Sequence, residues 1–268
     1  SSQFYREMSI GTAKPSPSEL SLARHHFIDS HSITDDFTVG DYEQQAVALL
    51  ERIFSERDTA VLAGGSGLFV NAVVRGFDDL PKAPAEVREE LNDLLRREGI
   101  NALQEKLKEL DPDYYTEVDL RNPQRIIRAL EVSIFTGTPF SGFRTRKAAS
   151  RPFNIIRIGL TLPRDLLYDR INARVDEMIR LGLIDEVRAL LPYRDKNALN
   201  TVGYSEVFDF LDGKHTLEDA VAAIKQNTRR FAKRQLTWFR KDPETEWFAP
   251  DQIADIINYI NSRITPVR

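Results

Sequence analysis

The segment 59–75 restricts the fold more than any other stretch. Thr59-Ala-Val-Leu-Ala63 is a short apolar run, Gly64-Gly-Ser-Gly67 follows as a turn, and 68–75 continues with helical spacing. A buried strand feeding a glycine turn and then a helix is the repeating step of α/β domains with a parallel sheet. Ile155-Ile-Arg-Ile-Gly-Leu-Thr161 is the other clear strand, and His26-Phe-Ile-Asp29 has strand character. Helices are expected over 20–25, 41–57, 122–135, 164–191, 205–211, 217–239 and 252–264. Ile10-Gly-Thr-Ala-Lys-Pro15 reads as a loop. From 84 to 110, Glu, Arg, Lys and Leu dominate, with Val87, Leu91, Leu94 and Leu95, then Leu103, Leu107 and Leu110, at helical spacing. The expected organisation is a core from 1–80, a helical insertion over 81–120, and the second part of the core with C-terminal helices from 121–268.

The chain has no cysteine, which excludes disulfides, thiolate zinc sites and thiol catalysis. No run of about 18 apolar residues is present, so no membrane span is expected. The net charge of −4 is unevenly distributed. Residues 121–241 carry 23 Lys+Arg against 13 Asp+Glu, and the remainder carries 14 against 28. A basic segment in an acidic protein is what a local polyanion surface requires, although an unevenly charged solvated surface has the same composition.

Four segments could carry chemistry. Glycines in 64–67 let backbone amides approach an anion, but they serve close packing equally well, and the Gly-Lys-Ser/Thr ending of a nucleotide loop is lacking. Arg121, Arg125 and Arg128 offer guanidinium groups around one helix start, for phosphate or for solvent. Arg170 and Arg174 lie one turn apart, free to neutralise a leaving diphosphate or to pair with Asp169 and Asp176. Asn227–Lys241 has six basic residues, no acid and three aromatics. That mixture suits RNA, with the rings mostly buried and the cations lining a groove. His25 and His26 are adjacent and read as core or capping residues, and no cluster has metal-ligand spacing.

Taken in order, Ser-Ser-Gln-Phe-Tyr5, Ile10-Gly-Thr-Ala-Lys-Pro15, His25-His-Phe-Ile-Asp29, Gly64-Gly-Ser-Gly-Leu-Phe69, Asn122-Pro-Gln-Arg-Ile-Ile-Arg-Ala-Leu-Glu131, Val202-Gly-Tyr204 and Phe231-Ala-Lys-Arg-Gln-Leu-Thr-Trp-Phe-Arg240 resemble the tRNA dimethylallyltransferases over nearly the whole chain. The resemblance implies a P-loop nucleotide-kinase-like core with a helical insertion that clasps the anticodon stem-loop. It implies transfer of the dimethylallyl group of dimethylallyl diphosphate to N6 of the adenosine 3′ of the anticodon, with Mg2+ accompanying the diphosphate. A cytoplasmic monomer is expected.

By the same resemblance, Arg174 stabilises the diphosphate, and Ser1, Ser2 and Gln3 meet the target nucleotide. Ser66 stands where Thr is commoner and Phe69 where Tyr is commoner. Arg88, Gln124, Arg125, Ile126, Ile127 and Arg128 match tRNA-contact positions, as do Asn200, Thr201, Val202, Gly203, Tyr204 and Ser205. Arg230, Lys233 and Arg234 of the basic run are expected to grip the RNA. The family's general-base Asp and its P-loop fall before Ser1, so these residues are expected to hold the RNA grip and diphosphate arginine without them. The rival readings are an adenylate isopentenyltransferase acting on free nucleotides, a non-catalytic RNA-binding fragment, and a P-loop-like small-molecule kinase.

Overall fold

The structure is a computed structural model and describes residues 2–78, 80–144 and 149–264. In chain order the helices are α1 (Pro17–Leu20), α2 (Val39–Phe54), α3 (Gly67–Arg75), α4 (Ala85–Glu98), α5 (Ile100–Leu110), α6 (Pro112–Glu117) and α7 (Pro123–Thr136). Then come α8 (Phe140–Phe143), α9 (Arg164–Arg180), α10 (Leu183–Ala189), α11 (Tyr204–Leu211), α12 (Leu217–Phe239) and α13 (Ile253–Arg263). The strands are β1 (Arg157–Leu160) and β2 (Thr245–Phe248). The chain divides into two compact units, one of Ser1–Val74 with Pro152–Arg268, the other of Arg75–Arg151.

In the first unit β1 and β2 pair in parallel, from Arg157↔Thr245 to Leu160↔Phe248. Parallel neighbours need a crossover, and α9 to α12 supply it. Gly159 is required at this pairing because a Cβ there would lie 2.5 Å from the Trp247 ring. This is the expected α/β arrangement. One core gathers Val175, Leu183, Val187, Tyr204, Val207 and Ile224 from α9 to α12 around Met8 and Ile33. A second is aromatic, with Phe4 stacked on Tyr42 at 5.2 Å and edge-on to Phe69 at 5.5 Å.

Two expected strands are absent. Residues 59–63 are irregular, with Val61 89% and Leu62 43% exposed. A strand exists only where neighbours take up its N–H and C=O groups, and no described segment pairs with this one. At 26–29 the backbone turns instead of extending, since Phe27 and Asp29 adopt φ of 61° and 52°. The turn sends the Phe27 ring to Tyr42, 5.0 Å away, and the only strand-like contact nearby is the Tyr5–His31 bridge. The helix expected over 164–191 breaks at Gly182, whose φ of 100° ends α9.

The second unit is helical. Its core joins Leu91 of α4, Leu103 and Leu107 of α5 and Ile126, Ile127 and Leu130 of α7. It therefore extends well past the 81–120 stretch expected from the sequence, and α7, assigned there to the core's second part, packs in it. The reason is the apolar face of α7, which finds its partners on α4 and α5. Asp111 is fully buried yet satisfied. Its carboxylate accepts from Tyr114 N at 3.0 Å, capping α6, and from Ser141 N at 2.7 Å and Ser141 Oγ at 2.8 Å.

Candidate functional site

The 2–13 segment is built by polar clamps. Gln3 Nε2 donates to the carbonyls of Thr12 and Ala13, at 3.1 and 2.9 Å, closing the 10–15 loop over the N-terminal turn. Lys14 is nearly buried. Its ammonium donates to the Tyr5 carbonyl at 2.6 Å and pairs with Asp29. On the other side the Glu186 carboxylate of α10 accepts from the amides of Ser9, Ile10 and Gly11, at 2.9, 2.7 and 3.0 Å. The same carboxylate accepts from Tyr204 Oη at 2.6 Å. Tyr204 is fully buried, and burial with the neighbouring carboxylate pushes its phenol far above the usual tyrosine range, so it stays a donor.

Gly11 lies on the Tyr204 ring, where a Cβ would be 2.5 Å from Cε2. The ring is anchored by its hydroxyl and enclosed on all sides, so it has nowhere to move. Gly11→Ala should therefore cost about 1–3 kcal/mol by overpacking. A urea midpoint equal to that of the wild type would contradict this.

The glycine turn is a packing device. A Cβ on Gly65 would lie 2.3 Å from Gln235 Nε2, and one on Gly67 2.1 Å from Trp238 Nε1. Glycine thus lets α12 close on the turn, and this steric reading suffices without an anion. Ser66, half-buried between the two glycines, holds the start of α3 through its carbonyl, which accepts from Val70 N at 3.0 Å.

The 200–205 segment leads into α11. The Glu206 carboxylate accepts from Gly203 N at 2.8 Å and from Asn227 Nδ2 of α12 at 2.7 Å. The carbonyl of Thr201 accepts from the amides of Tyr204 and Ser205, both at 3.2 Å. Asn200 is exposed, and Thr201, Val202 and Ser205 are half-buried. Gly203 and Tyr204 are buried, so in this segment they support the surface that the others present.

Arg174 is exposed on α9, and Arg170 lies one turn before it. Neither is paired with an acid among the described residues. Asp176, the partner the sequence offered, is instead bound by Lys225 Nζ at 2.6 Å. The opposite flank of α9 meets α12, where Arg229 Nη1 donates to Asn172 Oδ1 at 2.7 Å.

The second half of α12 carries Arg229, Arg230, Lys233 and Arg234, with Arg240 and Lys241 just beyond it, and among the described residues none of them has an acidic partner. The aromatic rings are less buried than expected. Phe231 and Trp238 are each 43% exposed, because Trp238 rests on the glycine turn and Phe231 is covered mainly by Arg234, 5.6 Å from its centroid. The result is a cationic strip interrupted by two part-exposed rings.

In the helical unit Glu131 of α7 is buried and holds two arginines. Arg88 Nη2 donates to its Oε2 at 2.9 Å, and Arg128 Nη1 lies 3.6 Å away. Gln124 and Arg125 are exposed on the same helix. Ile126 and Ile127 are completely buried in the unit's core, so their side chains are unavailable to any ligand. Their place in the motif reflects packing of α7. Ser1 lies outside the described residues, and Ser2 is half-buried beside Gln3.

His25 Nδ1 contacts the Ala23 carbonyl at 2.8 Å, and His26 is held below the usual histidine range, first by burial and then by Arg24 and Arg52. Sequence reasoning missed Glu186, Glu206 and Asn227, which look like ordinary helix-surface residues until the tertiary fold aims them inward. Among the described residues no group of three His, Asp or Glu side chains has the arrangement of a metal site. No helix among them is long and apolar enough to cross a membrane.

The chain is similar to known proteins in sequence and in fold. The family described as IPP transferase matches residues 3–242. The tRNA dimethylallyltransferase of Christiangramia forsetii is 54% identical over 265 residues, covering 98% of this chain and 88% of that protein. The tRNA dimethylallyltransferase 1 of Bacteroides thetaiotaomicron is 46% identical, covering 97% and 84% respectively. Among solved structures, the tRNA isopentenylpyrophosphate transferase of Bacillus halodurans superposes with a TM-score of 0.69 at 40% identity, over 98% of this chain and 85% of its own. A eukaryotic dimethylallyltransferase at 20% identity shares the fold, with a TM-score of 0.75 over 100% of this chain and 73% of its own. The α/β, P-loop nucleotide-kinase-like core with its added helical unit is the fold these structures share with the chain. On this match of sequence and architecture, the chain belongs to the IPP transferase family.

Proposed function

We propose that the protein transfers a dimethylallyl group from dimethylallyl diphosphate to N6 of the adenosine 3′ of the anticodon in tRNA. The observation that carries the reading is the α12 strip, six cations from Arg229 to Lys241 without acidic partners among the described residues, beside the part-exposed rings of Phe231 and Trp238. Phosphates neutralise such cations and unstacked bases lie on such rings, whereas a free nucleotide would engage only a fraction of the strip.

In the transfer, the adenine N6 forms a bond to C1 of the dimethylallyl group as the C1–O bond breaks. The electron pair leaves on the diphosphate, and the N6 proton passes to a base. Arg174, exposed and without an acidic partner among the described residues, supplies a guanidinium where that leaving charge grows. Ser2 and Gln3, with Ser66, receive the target nucleotide, which must leave its stack to react. Asn200, Thr201, Val202 and Ser205, with Arg88, Gln124, Arg125 and Arg128, meet the stem-loop, and Arg230, Lys233 and Arg234 hold its phosphates. Mg2+ bound with the donor would offset the diphosphate's charge; among the described residues no group of three His, Asp or Glu side chains is arranged to hold it. The reading is of a monomer in the cytoplasm that engages no membrane.

The test compares prenylation of an anticodon stem-loop with that of AMP by the full natural chain. Product on the stem-loop, located at N6 of the adenosine 3′ of the anticodon, is the expected result. Turnover of AMP without turnover of RNA would overturn the tRNA reading.

A further inference from the structure

The Glu186 carboxylate stands outside the motifs that carry the family resemblance, yet three of its four donors, Ile10, Gly11 and Tyr204, belong to two of them. Three of the four are consecutive amides, of Ser9, Ile10 and Gly11, all within 3.0 Å. The fourth is the buried Tyr204 hydroxyl at 2.6 Å. The chain from Gly11 runs directly into Thr12 and Ala13, whose carbonyls take both Gln3 side-chain bonds. Glu186 therefore connects α10 and α11 to the turn that holds Ser2 and Gln3 through hydrogen bonds at each end of the short 9–13 backbone.

We infer that Glu186 is a positioning residue for the transfer: it sets the 9–13 loop, and through Gln3 it sets the turn that receives the target adenosine. This rests on the functional reading above for the role of Ser2 and Gln3. The chemistry is specific to a carboxylate. An ionised carboxylate is an acceptor only and can take all four donors on its two oxygens. A glutamine has the same shape, but its NH2 would face N–H groups or the tyrosine hydroxyl, so at least one bond becomes a donor–donor contact. The loop's other hydrogen bonds are its own or run to the N-terminal turn: Thr12 Oγ1 donates to the Met8 carbonyl at 2.7 Å, Ala13 N to the Ile10 carbonyl at 3.0 Å, and Gln3 Nε2 to the Thr12 and Ala13 carbonyls. Its backbone bonds to α10 are those that Glu186 accepts.

The experiment uses Glu186→Gln and Tyr204→Phe in the full natural chain. Hydrogen exchange is read for the peptide covering 6–15, and single-turnover prenylation is measured on a stem-loop with both substrates saturating. Glu186→Gln should speed exchange in that peptide, leave exchange in α13 unchanged, and lower the single-turnover rate about 10- to 100-fold through misplacement. The KM for dimethylallyl diphosphate should stay within about twofold, because the loss concerns the acceptor's placement. Tyr204→Phe, which keeps the three amide bonds, should show the same pattern more weakly. It also serves if Glu186→Gln fails to fold.

Unchanged exchange in 6–15 for a folded variant, or a wild-type single-turnover rate, would overturn the positioning role. So would a fall in rate matched by a proportional loss of folded protein. Failure of the wild-type chain to prenylate the stem-loop would count against the functional reading instead, with the exchange result still deciding whether Glu186 sets the loop.

Discussion

Replacing Arg230, Lys233 and Arg234 together with alanine is expected to weaken stem-loop binding on the order of 10²-fold at physiological salt. It should also make the dependence of log affinity on log salt shallower by about two to three units. Each side chain is exposed on the second half of α12 and, among the described residues, unpaired with any acid, so each can displace a counterion from RNA without first giving up an ion pair. The comparison variant is Arg180→Ala. That guanidinium is already engaged by Glu177 on α9, so its loss should leave both affinity and salt slope unchanged. Filter binding or fluorescence anisotropy across 50–300 mM salt, roughly the range over which such contacts are lost, reads both quantities. A triple variant with the wild-type slope would show that the strip is merely solvated.

Removing the Arg174 guanidinium is expected to lower kcat about 10²- to 10³-fold, the usual loss when one donor to a developing charge is deleted. Binding of the stem-loop should change little. Arg174→Lys should recover only part of the rate, because an ammonium supplies charge without the planar fork that meets two phosphate oxygens at once. Lys225 has taken Asp176, the nearest acid one could have assigned to Arg174, and no other described carboxylate pairs with Arg174. Diphosphate release in a single turnover, followed at saturating donor and RNA, is the measurement. A rate for Arg174→Ala within twofold of the wild type would remove this residue from the chemistry.

The two predictions differ in how far the sequence alone supports them. The cations of α12 were visible as composition, since six basic residues without an acid in fifteen positions is a statement about the chain itself. Their freedom from partners was not visible, because Asp and Glu distant in sequence could have folded against them. For Arg174 the sequence suggested a nearby acid as partner, and only the packing of α9 on α12 assigned that acid to Lys225. Ile126 and Ile127 show the opposite error. They sit inside a recognisable motif, but the helical period turns them toward α4 and α5, and their contribution is to fix α7 rather than to touch RNA.

The strand–turn–helix at 59–75 divides in the same way. The helix formed as expected, since its hydrogen bonds lie within itself and 3.6-residue spacing is a local property. The strand did not form, since its hydrogen bonds must come from a neighbour that no local pattern can supply. Two of the glycines, Gly65 and Gly67, lie tight against Gln235 and Trp238 from far along the chain, whereas a Cβ on Gly64 would meet nothing within 4 Å. Local patterns in the chain thus specify most of the helices, the excess of cations in 227–241 and, through its motifs, the family. Long-range packing settles that no described carboxylate pairs with those cations, and that a different carboxylate, Glu186, ties the 9–13 loop to α10. Helical periodicity and composition are carried by neighbouring residues, whereas a hydrogen bond between positions 11 and 186 exists only once the whole chain has folded around it.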